Sequence, residues 1–280
     1  MTTPQTALVL GGGGITGIAW ETGLLAGLAE AGIDLSRAET VVGTSAGSVV
    51  GAQVAGGDDL ETLYAHQLKD ASGEIAASFG KSTMLRFLTY LVLPGSSRTK
   101  RARLGRAAIR ADTVHESERI AVIRARLGQR EWPQRRLLIT AVNAETGEFK
   151  VFDKDTGVGL VLAVASSCAV PLVWPPVSVN GHRYMDGGIR SPANADLAKG
   201  ARHVVALAPI ARGVGKAAGV QSQLDRLGPN LRSVMISPDD SALRAIGRNV
   251  LDPARRAVSA RAGREQAAAV AERVREVWPV

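Results

Sequence analysis

The sequence predicts an α/β fold with a mostly parallel sheet, because the order strand, tight turn, helix occurs twice in its first 56 residues. An apolar run at 7–10 stops at four consecutive glycines, and Val41-Val42 runs into a second turn at 43–47 (GTSAG). Buried parallel strands joined by crossover helices have this pattern. With 280 residues, 45% of them hydrophobic, the chain is long enough for one sheet covered by helices on both faces.

The next elements are helical. Residues 15–31 place apolar side chains at helical spacing, and a helix of small residues follows at 48–55. The stretch 57–135 contains helix patterns but no strand pattern; the predicted helices cover 59–71, 82–93 and 112–127. We therefore expect one domain over 1–280, with 57–135 as a helical, basic insertion or cap.

Strand signals return at residue 136 and alternate with turns and helices towards the C-terminus. Asn180-Gly181 is a strong hairpin turn signal between two strand patterns. The predicted strands cover 136–142, 148–152, both arms of the hairpin at 176–185, 204–208 and 233–236. The predicted helices cover 158–168 and 253–278.

Composition excludes several classes of protein. No run of about 18 apolar residues is present, as a membrane-spanning helix would need. The single cysteine, Cys168, excludes an internal disulfide framework and a cysteine-built zinc site. The first residues lack the basic segment of a signal peptide, so a cytoplasmic protein is the expectation.

The net charge of +8 is unevenly distributed. Residues 1–97 carry 4 Lys or Arg against 9 Asp or Glu, whereas residues 98–136 carry 12 against 4. An anionic lipid surface, nucleic acid, or no partner at all would each be compatible with such a basic segment. Nucleic acid fits least, because no aromatic residues interleave with the arginines and no binding motif is present. An apolar helix pattern directly precedes the arginines, so 84–110 is a candidate membrane-docking segment.

Gly43-x-Ser45-x-Gly47 lies between a predicted strand and a predicted helix. A nucleophile elbow needs this arrangement, since it exposes the serine Oγ at a sharp turn that only small neighbours tolerate. The motif also arises by chance in chains rich in glycine, but the strand–turn–helix context that it requires is present here.

The glycine loop at 11–14, with Gly17 after it, has three interpretations. Gly12-x-Gly14-x-x-Gly17 matches the dinucleotide-binding spacing, yet the acidic ribose partner expected at the end of the second strand is missing. Bare backbone amides can instead stabilise an oxyanion, as glycine loops of lipases and esterases do. A purely structural turn is the third interpretation.

The four histidines do not complete a Ser-His-Asp triad. His66 and His115 lie in the helical insertion, and His203 lies at the start of a strand, the wrong end for a parallel-sheet site. His182, in the hairpin, is a weak candidate. Beside it a strand ends in Asp186-Gly187-Gly188, a pattern that is also typical of an ordinary Asp-Gly turn.

The chain contains, in this order, the glycine loop, the GxSxG motif, the segment 166–171 (SSCAVP) and the strand-terminal DGG. This set of motifs resembles the patatin-like phospholipases, a family of lipid acyl hydrolases. The resemblance covers 5–56 and 136–209. It implies a three-layer α/β/α fold and a catalytic dyad, with Ser45 as nucleophile and Asp186 as general base. It also implies an oxyanion hole, here assigned to the amides of Gly12, Gly13, Gly14 and Ala46.

The function that this resemblance implies is hydrolysis of lipid carboxyl esters through an acyl-enzyme, without metal or organic cofactor. The family often has Arg or Lys where this chain has Thr16, which leaves the head-group preference open. The expected partners are an acyl-ester substrate and an anionic membrane surface. A non-catalytic lipid-binding module and a dinucleotide-dependent oxidoreductase are the alternative functions.

Overall fold

A computed structural model describes residues 6–69, 77, 80–128, 130–213 and 219–279. Its centre is an eight-stranded sheet of order β5-β6-β3-β2-β1-β7-β8, with β4 paired to β3. The strands are β1 (Thr6–Leu10), β2 (Thr40–Gly43), β3 (Arg136–Asn143), β4 (Phe149–Phe152), β5 (Val177–Val179), β6 (His182–Asp186), β7 (His203–Leu207) and β8 (Arg232–Ile236). Strands β3, β2, β1, β7 and β8 are parallel, whereas β4 and β6 run antiparallel to β3.

Helices cover both faces of the sheet, so the predicted three-layer α/β/α fold is confirmed. The helices are α1 (Gly14–Glu30), α2 (Ala46–Ala55), α3 (Leu60–Leu68), α4 (Lys81–Val92), α5 (Ser97–Ile109), α6 (Glu116–Leu127), α7 (Leu160–Ser167), α8 (Val220–Asp225), α9 (Asp240–Ile246) and α10 (Arg256–Arg275). Among the described residues, no helix is long and apolar enough to span a bilayer.

Strand β1 illustrates how the two sides of the sheet are filled. Leu8 and Leu10 belong to the large core under α1, α2 and α10, while Ala7 and Val9 pack on the opposite side. All four side chains are fully buried, as expected for a central parallel strand whose residues alternate between two covered faces.

The C-terminal helix α10 packs closely along α1. A Cβ added at Gly23 would overlap the carbonyl of Ala260, and one at Gly263 would overlap that of Trp20. The fully buried Trp20 donates its indole N–H to Oε1 of Gln266, at 2.9 Å. The C-terminal helix is therefore part of the core that supports α1 and the glycine loop before it.

The helical insertion differs from the sequence prediction in one respect. The basic stretch after residue 96 forms a separate helix, α5, which was not predicted. Its buried side consists of Ala102, Leu104, Gly105 and Ala108, too small and mixed a set to produce a clear apolar period, although arginine itself favours helix. The short helices α8 and α9 were also missed, and residues 70–71 of the predicted helix 59–71 lie outside the described residues.

Candidate active site

Ser45 occupies the sharp corner between β2 and α2. Its backbone has φ 52° and ψ −118°, which lies in the strained region that nucleophile elbows use. The flanking glycines allow this turn to pack: a Cβ at Gly47 would overlap the backbone carbonyl of Leu10, and one at Gly43 would lie 2.6 Å from Cα of Ser48. The GxSxG motif thus forms the strand–turn–helix corner that the sequence predicts.

Neighbouring loops hold the elbow in place. The backbone N–H of Ser45 donates to Oγ of Ser167 at 2.9 Å, and the thiol of Cys168 donates to the carbonyl oxygen of Ser45 at 3.3 Å. Both partners belong to the segment 166–171, which precedes the DGG turn in the sequence. Burial raises the pKa of the Cys168 thiol, so its role here is that of a packed, protonated side chain.

Asp186 ends strand β6, where a hydrogen-bonding interaction with the side chain of Ser45 lowers the pKa of its carboxyl. Its Oδ1 also accepts from the backbone N–H of Gly188, at 2.7 Å. The carboxyl is 4% exposed, and this burial raises its pKa to about 6, although the two hydrogen bonds oppose the shift. The structure therefore brings together the two side chains that the sequence predicts as a dyad.

A buried polar network beneath the Asp186 turn was missed at the sequence level. Asn194 donates from Nδ2 to Oγ1 of Thr44 at 3.1 Å and to the carbonyl of Gly187 at 3.3 Å. Oγ1 of Thr44 lies 2.9 Å from Oγ1 of Thr140 in β3. The network connects the residue before Ser45 with the residue after Asp186, and so fixes the spacing of the two. Its members lie far apart in the sequence and form no local pattern that could reveal them.

The glycine loop follows β1 and leads into α1, directly beside Ser45. A Cβ added at Gly12 would lie 3.5 Å from Cβ of Ser45, and one at Gly13 would overlap the ring of Pro209. Gly13 is the N-cap of α1 and Gly14 its first residue, with φ 63°, so their amides belong to a helix N-terminus that lacks intrahelical acceptors.

One oxyanion assignment needs correction. The amide of Gly12 donates to the carbonyl of Pro192 at 2.8 Å, so it is engaged in holding the loop and does not face an oxyanion. Ala46 begins α2 and thus has a first-turn amide next to Ser45. At Gly17 an added Cβ would make only ordinary contacts, with Pro209 at 3.4 Å and Ala46 at 3.5 Å, so packing does not require glycine there.

Glu21 is a second buried carboxyl near the loop. It is fully buried in α1 and accepts the backbone N–H of Gly11 through Oε1 at 2.9 Å. Burial beneath the glycine loop raises its pKa well above the ordinary value for glutamate, although the hydrogen bond from Gly11 opposes the shift. No short motif in the sequence pointed to this contact.

An apolar cavity of about 380 Å³ opens above the dyad. Ser45 and Asp186 lie in its wall together with the glycine loop, and its apolar lining comes from Phe87, Leu88, Val170, Ile189, Pro192, Ile210, Val250 and Leu251. Phe87 and Leu88 belong to α4, so this helix of the insertion contributes to the wall of the cavity. The cavity has the size and apolar character that a fatty acyl chain would require.

No histidine lines the cavity in the described part of the chain. His203 lies at the start of β7 with Nδ1 2.6 Å from the carbonyl oxygen of Val277, and His182 is exposed, 3.8 Å from Glu145. His115 caps α6, and His66 lies in α3. Within the same described residues, no three His, Cys, Asp or Glu side chains are grouped as a metal site would need.

Solved structures similar to this chain include VipD from Legionella pneumophila, at 14% identity and a TM-score of 0.47, over 97% of this chain and 67% of VipD. The ExoU–SpcU complex from Pseudomonas aeruginosa matches at 17% identity and a TM-score of 0.44, over 98% of this chain and 52% of the other. Human GIVD cytosolic phospholipase A2, in complex with methyl gamma-linolenyl fluorophosphonate, matches at 12% identity and a TM-score of 0.42. This match covers 98% of this chain and 59% of the other. The chain thus spans half to two thirds of the length of these proteins.

No curated protein sequence matches the chain. The sequence model of the family described as patatin-like phospholipase, however, matches residues 8–199, which include the glycine loop, the GxSxG elbow and the DGG turn. This match covers more than half of the chain, and it confirms the resemblance drawn from the motifs: the chain belongs to the patatin-like phospholipase family.

Proposed function

We propose that this protein hydrolyses lipid carboxyl esters through a Ser45–Asp186 dyad. Family membership supports a lipid hydrolase in general terms. The observation that carries the specific proposal is the placement of the Ser45 side chain and the buried Asp186 carboxyl together in the wall of an apolar cavity of about 380 Å³. Nucleophile, base and acyl-sized space thus occur together.

In the proposed mechanism, Asp186 accepts the proton of Ser45 while Oγ attacks the ester carbonyl carbon. The tetrahedral intermediate collapses with cleavage of the carbon–oxygen ester bond, and Asp186 returns the proton to the departing alcohol. Water then attacks the acyl-enzyme by the same route, and Ser45 is regenerated. A dyad needs a base that is ionised near neutral pH yet basic enough to act, and a carboxyl with a pKa of about 6 satisfies both demands.

The oxyanion would be stabilised by backbone amides at two helix N-termini. Gly13 and Gly14 begin α1, and Ala46 begins α2, so partial positive charge converges beside Ser45. Gly12 lines the cavity and has no side chain, so the substrate carbonyl can approach the loop at this position. Glu21 and Pro192 act as positioning residues, since they hold the amides of Gly11 and Gly12.

The proposal extends to the organisation of the chain. We take residues 1–280 as one acyl-hydrolase domain in which α10 supports α1, and in which the insertion at 57–135 caps the acyl cavity. The exposed apolar residues of α4 and the basic segment beside it support peripheral contact with an anionic membrane over 84–110. Such contact would allow the cavity to take its substrate directly from a lipid surface.

A fluorophosphonate probe tests the dyad directly. We expect covalent labelling of Ser45, together with turnover of a soluble acyl ester, and loss of both in Ser45→Ala. If Ser45 stayed unlabelled in the folded protein, this result would contradict the proposed hydrolase activity and favour a non-catalytic lipid-binding module. Micromolar binding of NAD(P) in equilibrium dialysis would instead revive the dinucleotide interpretation of the glycine loop.

A further inference from the structure

A second cavity, separate from the acyl cavity, lies between α4 and α5. It has a volume of about 320 Å³, and it is lined by Arg86, Tyr90, Arg103, Arg106, Ala107 and Arg110. We call these six residues the arginine pocket. None of them lines the cavity that contains Ser45 and Asp186.

Helical spacing explains why so many arginines meet here. Positions 103, 106, 107 and 110 follow one face of α5, and Arg86 and Tyr90 lie one turn apart on α4. The two helices are consecutive, so this face of α5 meets that side of α4. Among the residues that the structure describes, the lining contains four guanidinium groups and a phenol hydroxyl, but no carboxylate.

Two of the guanidiniums are held by the backbone. Arg103 donates from Nη1 to the carbonyl of Pro94, and Arg106 donates from Nη1 to the carbonyl of Glu145 at 3.1 Å. Arg86 and Arg110 are exposed and make no hydrogen bond or ion pair with any described residue. Each guanidinium presents five N–H donors, so most of the donors around this pocket have no acceptor from the described chain.

Four like charges around one cavity repel one another, and an anion placed between them would remove that repulsion. Guanidinium groups match phosphate in a planar, bidentate way, and a phosphomonoester brings almost two negative charges and three acceptor oxygens. We propose that the arginine pocket binds the phosphomonoester headgroup of a membrane lipid.

The surroundings of the pocket favour a lipid headgroup over a free phosphate. Helix α4, which supplies Arg86 and Tyr90, also presents Leu85 and Val92 to solvent at 68% and 75% exposure. The same helix contributes Phe87 and Leu88 to the acyl cavity. Exposed apolar side chains next to a phosphate-binding pocket are expected at a bilayer surface, and α4 would connect that surface to the cavity above Ser45.

This inference rests on the proposed membrane contact of 84–110 but not on catalysis, so it is tested by binding in a Ser45→Ala background. The probes are phosphatidylcholine vesicles containing either phosphatidic acid or phosphatidylglycerol, matched in total surface charge. We expect tighter co-sedimentation with phosphatidic acid. Arg86→Gln/Arg110→Gln should weaken that binding by about tenfold or more and abolish the preference between the two lipids.

The matched control is Arg98→Gln/Arg124→Gln, which removes the same charge from the same insertion but outside the pocket. It should keep the preference for phosphatidic acid. If both pairs of substitutions weakened binding equally, the attraction would come from diffuse charge and the proposal would be overturned. The same would follow if the protein with an unmodified pocket bound both kinds of vesicle equally. Binding of inorganic phosphate without binding to vesicles would overturn the lipid assignment.

A charge-retaining pair, Arg86→Lys/Arg110→Lys, separates pocket geometry from net charge. It keeps both positive charges but loses the planar fork, so the preference for phosphatidic acid should fall while binding to phosphatidylglycerol vesicles stays unchanged. Full retention of the preference would contradict a bidentate phosphate site. Circular dichroism melts verify that each variant is folded.

Discussion

The elbow at Ser45 and the helical insertion differ in how far their side chains are exposed to solvent. Ser45 and Asp186 lie at less than a tenth exposure among packed strands, with donors and acceptors held by neighbouring loops. Helices α4 and α5 instead expose Leu85, Val92 and several arginines, and most of α5 belongs to the basic stretch 98–136. In the first region a buried acid and a strained serine lower the free energy of unfolding. The second region instead exposes apolar and charged side chains to water.

This difference shows where each property resides. Chemistry at Ser45 needs atoms fixed to within a fraction of an ångström, and a packed sheet provides that precision. Contact with a fluid bilayer needs apolar area and positive charge, which an exposed helix pair supplies without exact placement. Substitutions in the first region should therefore alter turnover and folding, whereas substitutions on the exposed side of α4 and α5 should alter only where the protein binds.

The largest effect is expected from Ser45→Ala. Without the hydroxyl no acyl-enzyme forms, so turnover of a soluble ester should fall by about 10⁴-fold or more, while vesicle binding through the insertion stays intact. Initial rates and co-sedimentation measure the two properties. His182→Ala and His203→Ala are the controls and should stay within about twofold of the parent, because neither ring reaches the cavity. A comparable loss in either would contradict the dyad.

The next largest effect concerns the packing of the elbow. In Gly47→Ala the new Cβ would collide with the carbonyl of Leu10, so we expect the free energy of unfolding to fall by about 3 kcal/mol. Urea unfolding followed by circular dichroism measures the change. Gly159→Ala is the matched control, since nothing lies within 4 Å of a Cβ there and the backbone φ is −61°. Equal stability of the two variants would refute the packing argument.

The same comparison explains what sequence alone could predict. The elbow and the DGG turn are local patterns in which strand, glycine and proposed catalytic side chain are consecutive, so Ser45 and Asp186 could be predicted from the sequence. The bond between Gly12 and Pro192, and the contacts of Asn194, form only when distant loops meet, and no spacing encodes them. Helix α5 was not predicted, because its buried side consists mostly of small residues. For the same reason, the sequence did not predict that arginines of α4 and α5 lie together.

The titration of Asp186 provides a test in which activity and stability move in opposite directions. Its pKa is raised from an ordinary value of 3.8 to about 6, so the base is ionised, and kcat/KM should rise, as pH increases through 6. The folded state binds the proton more tightly than the unfolded state. The stability linked to this group is therefore greatest below pH 4 and is lost as pH rises through 6.

Asp186→Asn removes that titration. At neutral pH the variant should be inactive yet more stable, by about 2 kcal/mol, because no charge is buried at this position. Thermal melts at neutral and acidic pH measure the gain, which should shrink as the solution becomes acidic. A variant less stable than the parent at both pH values would show that the carboxylate is structural.

The smallest effects on folding are expected at the exposed apolar face of α4. Leu85→Ser/Val92→Ser replaces side chains that are already in water, so the free energy of unfolding should change by no more than about 0.5 kcal/mol. Soluble-ester turnover should also persist, since neither side chain lines the acyl cavity. Co-sedimentation with anionic vesicles should nevertheless weaken, because the area that inserts into the bilayer is lost.

Leu243→Ser, at an equally exposed site on α9, is the control and should leave vesicle binding unchanged. If the α4 pair instead destabilised the fold, this side of α4 would be part of the packed core, and the division between a rigid site and a binding surface would fail. If both variants lost vesicle binding alike, the membrane contact would not belong to α4. Loss confined to the α4 pair, with folding and soluble turnover preserved, would locate membrane attachment on the exposed side of α4, apart from the side chains of the same helix that line the acyl cavity.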